Sequence, residues 1–210
     1  MIQPVDILNF VFIGVILFVS ITLHEYSHGF VATKFGDPTP KASGRLTLNP
    51  LAHIDIFGTL ILPILLLVLS SGKFAFGYAK PVPINPYHFK NPKKDILWVG
   101  LAGPAINFII ALLLTGLLKA TNYLFIPEII IEGILINLIL GIFNLIPIPP
   151  LDGSRVLSAI LPYKLSYLYL KMETIGSFII ILLIMIGFLK WFMLPIVGSI
   201  FSLLNIKAAI

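Results

Sequence analysis

Cysteine is absent from the 210-residue chain. That removes disulfides, thiolate metal sites and thiol nucleophiles, and leaves the redox compartment open. Charge is scarce as well. Fourteen Lys and Arg with nine Asp and Glu make up 11% of the residues, less than half the roughly 25% of a soluble domain. A mean hydropathy of +1.04 and a 58% hydrophobic content exclude a mainly soluble protein. They predict one integral membrane domain over residues 1–210, with no soluble module of ordinary size. No basic stretch precedes the first apolar run, which opens Met1-Ile2-Gln3-Pro4-Val5-Asp6, so a cleaved signal peptide is not expected. The net charge of +5 is not a nucleic-acid signature, because the basic residues sit in short loops beside apolar segments, where Lys and Arg set topology.

The first apolar segment, Ile7 to Thr33, is long enough to span a bilayer core, which takes about 20 residues. Near its C-terminal end it carries His24-Glu25-Tyr26-Ser27-His28. Two histidines four residues apart lie about 40° apart on one helix face, so both imidazoles can take one Zn²⁺. Glu25, beside the first ligand, is placed to accept a proton from water there. Ionisable groups are costly in hydrocarbon and persist mainly where they function or pair. A catalytic zinc usually has three protein ligands, and His53, His88 and the carboxylates are the candidates for the third. Asp152 is the best of them, because it follows a membrane helix broken by Pro147, Pro149 and Pro150. Unwound backbone at that depth is tolerated only inside protein or around a wet cavity.

Between these motifs the chain alternates apolar and broken stretches. Gly36 to Pro50 is too broken for a helix. Within it Arg45-Leu46-Thr47-Leu48 alternates, as either a short edge strand able to pair with an extended peptide or a plain loop. Ile56 to Ser70 is apolar but short, and Gly58 and Pro63 interrupt it. Ser71 to Asp95 reads as loop. Ile96 to Leu118, Ile129 to Ile148 and Met172 to Leu189 are further spans, and Trp191 to Leu204 is a short span or an interfacial helix. Ser154 to Leu161 is a helix-like run. The small residues of Gly100-Leu101-Ala102-Gly103 allow close helix approach, with Asn107 as an interhelical hydrogen-bonder. His88, Asp55, Asp37 and Glu173 read as surface or loop residues. Arg155 is either a cytoplasmic anchor or a partner for the surroundings of Asp152.

Depth constrains the topology. If Asp152 joins His24 and His28, the segments leading to them must run the same way across the membrane. The span between them runs opposite, so Lys34 to Asp95 crosses an even number of times. Its one apolar run, Ile56 to Ser70, therefore dips in and returns or lies along the interface. This arrangement puts 12 of the 14 basic residues on the cytoplasmic side and only Lys119 and Lys190 outside, in line with the positive-inside rule. The predicted fold is an all-α polytopic membrane protein. Three transmembrane helices surround a buried zinc (core 8–161), with a re-entrant or interfacial segment, a short β-like loop and one or two C-terminal helices (165–206).

Three stretches together, His24-Glu25-Tyr26-Ser27-His28, Gly103-Pro104-Ala105-Ile106-Asn107 and Asn144-Leu145-Ile146-Pro147-Ile148-Pro149-Pro150-Leu151-Asp152-Gly153, resemble the site-2 protease family of intramembrane zinc metalloproteases. Leu48 to Asp55 is similar to the compact prokaryotic branch, which lacks PDZ and CBS domains. The resemblance covers roughly Leu8 to Leu161. It implies that His24, His28 and Asp152 hold one zinc, that Glu25 is the general base, and that Asn144 lies at the active site, where it can hold substrate backbone. His53 is either an oxyanion donor, a partner behind the site, or a plain loop histidine. The expected partners are a transmembrane protein or peptide substrate and the lipid bilayer, with no nucleic acid, in a multi-pass cell-membrane protein whose active site faces the cytoplasm. Two other classes stay open: a membrane metal-ion transporter, which should repeat acidic or histidine groups along several helices, and a non-catalytic binder of membrane proteins, which should have lost Glu25 or a ligand.

Overall fold

Helix α1 runs Pro4–Lys34; a proline opening a helix forfeits no helical hydrogen bond. It stops at Gly36, whose φ is +103°. The Gly36 amide bonds the Thr33 carbonyl and the Asp37 amide reaches back to Ala32. This closure needs a residue that accepts positive φ, and it turns the chain about two helical turns beyond His28. The structure, a computed structural model, describes residues 4–69, 77–124 and 126–206. Its further helices are α2 (Thr39–Ala42), α3 (Leu62–Leu69), α4 (Pro92–Ala120), α5 (Pro127–Asn144), α6 (Asp152–Ile160), α7 (Tyr163–Leu170), α8 (Glu173–Met185) and α9 (Phe188–Leu203). Short 3₁₀ turns occupy Pro50–His53 and Pro86–His88, and a π-helical turn, Ile56–Ile61, leads into α3.

Val11–Lys34, Pro92–Ala120 and Pro127–Asn144 are long and apolar enough to cross a membrane, and α7 with α8, bent by 59°, makes a fourth span if taken as one. Their outward faces stay apolar: Val15 is 56% exposed and Leu113 68%, as a hydrocarbon solvent requires. The chain is a multi-pass membrane protein. Helix α4 is its central post, packed on α1, α5 and α6. Cross-contacts fix the directions. His28 meets Val99 and His24 meets Asn107, so α1 and α4 are antiparallel. Gly133 lies against Leu114 and Gly141 against Phe108, so α4 and α5 are antiparallel too. Asn137 bonds Ser20, and α5 therefore runs parallel to α1. Helix α1 thus ends, and α4 begins, at one end of the bundle, as the depth argument required.

The segment between them leaves and returns at that end. Ile56–Leu69 holds 14 residues, too few for a span. Tyr78 bonds back to Gly58 and Lys80 to His53, so the excursion closes beside its own start. Ser70 and Lys73, like Lys207 at the far end, lie outside the described residues. The described residues contain no strand. At Arg45–Leu48 the loop alternative holds: the amides of Arg45 and Leu46 both bond Pro40, and the Arg45 guanidinium reaches the Ala52 carbonyl.

Several boundaries differ from the sequence expectation, and α4 begins at Pro92, within the stretch to Asp95 read as loop. Helix α5 ends at Asn144 rather than Ile148, because a proline disfavours helical backbone in the residue before it, and Pro147 is followed by Pro149 and Pro150. Helix α6 begins at Asp152 itself, two residues early. The span expected to reach Leu189 stops at Met185, where Gly187 (φ +74°) separates it from α9. Asp37 also differs. It is a loop residue but fully buried. Its carboxylate accepts the amides of Thr39 and Asn85 at 3.0 and 2.7 Å and pairs with His88 Nδ1 at 3.1 Å, tying the turn after α1 to the approach to α4. Burial alone would raise its pKa, but these hydrogen bonds outweigh it and hold the carboxyl below its usual range.

Asp37→Asn turns an amide donor toward a backbone N–H, and it should cost about 2 kcal/mol and lower the thermal midpoint in detergent at pH 7. A depressed native pKa gives stability that is complete above about pH 4 and is lost as pH falls through the lowered value. Thermal melts across pH should show the wild-type advantage constant above about pH 4 and shrinking only below it.

Candidate metal centre

The H-E-x-x-H spacing puts His24 and His28 on the α1 face that meets α4, and both are buried. The proline-broken stretch after α5 folds back so that Asp152, the first residue of α6, faces them. The backbone at Gly153 passes so close to the Leu145 carbonyl that a Cβ there would overlap it. His24 Nε2 lies 3.0 Å and His28 Nε2 3.1 Å from Asp152 Oδ2, and the two Nε2 atoms are 3.1 Å apart. Arg155, one turn along α6, donates to Asp152 Oδ1 at 3.2 Å, which makes it a partner of Asp152 itself. The N-terminal position on α6 also favours a negative side chain.

The second ring nitrogens decide what this triangle can hold. His24 Nδ1 donates to Asn107 Oδ1 and His28 Nδ1 to the Val99 carbonyl, each at 2.6 Å. Neutral imidazoles with Nδ1 protonated carry lone pairs on Nε2. Two such lone pairs and a carboxylate oxygen then face one another, a set of acceptors that calls for a cation. The spacing is close to the edge of a tetrahedron of 2.0–2.1 Å bonds, about 3.4 Å. Gly103 completes the fit. A Cβ at that position would overlap the Nε2 atoms of both histidines, so the bare face of α4 leaves the space between the donors clear. These residues fit a zinc ion, and they are the one group of metal-ligating side chains found among the described residues.

Glu25 stands beside this group, half-buried. Its Oε2 accepts the Val82 amide at 2.9 Å. Val82 lies between Pro81 and Pro83 and so offers the only N–H of that strap, which crosses α1 where Gly29 leaves room: a methyl there would meet Val82 Cγ1 at 3.0 Å. Asn144 closes α5 and donates to the Leu140 carbonyl of its own helix at 3.0 Å. His53 lies in its 3₁₀ turn outside the ligand group, with Nε2 donating to the Thr47 carbonyl at 3.0 Å and a buried Nδ1 without a partner. In the neutral ring that Nδ1 is an acceptor. His88 is taken up by Asp37. Asn107 does bond across helices, as expected, but one of its partners is the first motif histidine. The spacing of the motif could not disclose Val82, Asn137 or Ser20.

The sequence profile described as Peptidase family M50 matches residues 12–132 and 126–187. YwhC of Bacillus subtilis is 37% identical over 182 residues, covering 82% of this chain and 79% of its own length. Rip2 of Mycolicibacterium smegmatis is 34% identical over 82% of this chain and 66% of its own. Zinc metalloprotease MJ0392 of Methanocaldococcus jannaschii is 32% identical over 89% of this chain, which spans 46% of that larger protein. The first two carry the words zinc metalloprotease as a provisional name. No solved structure matches the chain.

Gly103→Ala should abolish zinc binding, measured as metal per purified chain, whereas Gly116→Ala on the same helix, where a Cβ meets nothing within 4 Å, should leave it intact.

Proposed function

The chain belongs to peptidase family M50, and we propose that it is an intramembrane zinc metalloprotease, hydrolysing peptide bonds of transmembrane segments in or near the bilayer. The observation that carries this reading is the convergence of His24, His28 and Asp152 at one buried point between membrane-spanning helices, with Glu25 alongside.

His24, His28 and Asp152 would hold the metal. When bound, zinc supplies Lewis acidity that makes water nucleophilic near neutral pH. Glu25 takes the proton from the attacking water and returns it to the leaving amide nitrogen, which must be protonated for the C–N bond to break. The Val82 amide holds the Glu25 carboxylate in place by one of its oxygens and leaves the other for that proton. Arg155 neutralises Asp152 from outside and fixes which of its oxygens faces the histidines.

A helical substrate hides its amides in i→i−4 bonds, so the scissile stretch must unwind before it can react. Asn144 stands where α5 itself unwinds. Turning its amide from Leu140 toward substrate would supply one donor and one acceptor to extended backbone. His53 keeps an unpartnered Nδ1 in a turn whose carbonyl accepts the amide of Lys80, two residues before Val82. The centre faces the cytoplasm: Lys34, Lys41, Arg45, Lys80, Lys90, Lys93 and Lys94 all fall in the segment joining the ends of α1 and α4 that flank it, or at those ends. A transporter is disfavoured because no second ligating group lines a path among the described residues. A non-catalytic binder is disfavoured because Glu25 and all three ligands are present.

Reconstituted full-length protein should cleave a fluorogenic single-span peptide. Glu25→Gln should slow that cleavage by about 10²- to 10⁴-fold, the usual contribution of a general base, while keeping its zinc. Cleavage by Glu25→Gln at the wild-type rate would exclude the proposed role.

A further inference from the structure

Behind the metal centre a chain of polar side chains crosses three helices. His24 Nδ1 meets Asn107 Oδ1 at 2.6 Å, Asn107 Nδ2 donates to Asn137 Oδ1 at 2.9 Å, and Asn137 Nδ2 donates to both Ser20 Oγ and the Gly133 carbonyl at 2.9 Å. Asn107 and Asn137 are completely buried, and Ser20 is 3% exposed. Nothing in the hydrolytic mechanism uses Asn137 or Ser20, yet polar groups this deep are costly unless every donor and acceptor is matched.

The chain has a direction. A carboxamide is nearly symmetric in shape, so either end of Asn107 fits against His24, and only hydrogen bonding selects one. The Gly133 carbonyl can only accept. It therefore pins Asn137 Nδ2, whose second hydrogen goes to Ser20. Asn137 Oδ1 is left facing α4, where only an N–H satisfies it, and Asn107 must present Nδ2. That turns Asn107 Oδ1 toward His24, and an oxygen there requires the proton on Nδ1. The lone pair is then on Nε2, the atom that faces Asp152 and His28. With Asn107 reversed, an amide N–H would meet Nδ1, the ring proton would move to Nε2, and His24 would be unable to ligate.

We propose that Asn137 is a positioning residue of the metal centre: anchored on the Gly133 carbonyl, it locks the orientation of Asn107 and through it the tautomer of His24. This rests on the reading of His24, His28 and Asp152 as zinc ligands. Loss of a group behind a metal ligand typically weakens metal binding by about 10- to 100-fold.

The test is zinc affinity by chelator competition on detergent-purified full-length protein. Asn137→Leu should weaken zinc by that factor. Asn107→Asp supplies the key control, since a carboxylate shows His24 an oxygen whichever way it turns; its other oxygen then meets Asn137 Oδ1 without a hydrogen between them, a repulsion that Asn137→Leu removes. In the Asn107→Asp background, Asn137→Leu should therefore cost nothing further. An equal loss in both backgrounds, as a general packing role would give, or an unchanged affinity in Asn137→Leu alone, overturns the proposal. A wild type that binds no zinc overturns the ligand reading instead. A measurement without variants stands beside these: ¹⁵N shifts of His24 in metal-free wild type should show Nδ1 protonated, and a bare Nδ1 contradicts the lock even if Asn137→Leu does not fold.

Discussion

Three acceptor atoms within 3.1 Å of one another, His24 Nε2, His28 Nε2 and Asp152 Oδ2, are the constraint on which the rest of the molecule depends. Asp152 lies more than 120 residues from the two histidines, so two helices must run in parallel and end at the same depth. That forces an antiparallel helix between them, which α4 supplies, and a return of the chain to the starting side between α1 and α4. Gly103 and Gly153 are then fixed by clearance: one keeps a side chain out of the space between the three acceptors, the other lets the broken end of α5 fold down onto α6.

A membrane setting raises the stakes for each unpaired polar group, and the structure answers locally. The proline-rich break after α5 leaves backbone groups without helical partners. Tyr169 on α7 donates to the Pro147 carbonyl at 2.6 Å, and Asn144 bonds back into its own helix. Asn107, Asn137 and Ser20 satisfy one another in the bundle interior, and Asp37 gathers the loop amides at its end. Glu25 is held by a single amide between two prolines, a strap that has no other hydrogen to give.

Local spacing made the histidine pair and the helix break legible in the sequence, because His24 with His28, and Pro147 with Pro149 and Pro150, act through a few neighbouring residues. The directions of the helices followed from requiring Asp152 to share the depth of the histidines. The long-range partners stayed hidden. Val82 reaches Glu25 across 57 positions, Ser20 meets Asn137 across 117, and Asp37 binds Asn85 across 48. None of these has a periodic or compositional sign, and buried Asp37 looks like any turn aspartate. The alternation at Arg45–Leu48 left a strand edge and a plain loop both open, and the bonds of the Arg45 and Leu46 amides to Pro40 decide for the loop.

Zinc per chain in detergent-purified wild type and Asp152→Ala tests the central geometry most directly. One zinc in the wild type and its loss in Asp152→Ala is the predicted result. A full complement in Asp152→Ala would mean that the residue after the helix break is not a ligand, and the parallel arrangement of α1 and α5 would lose its chemical reason.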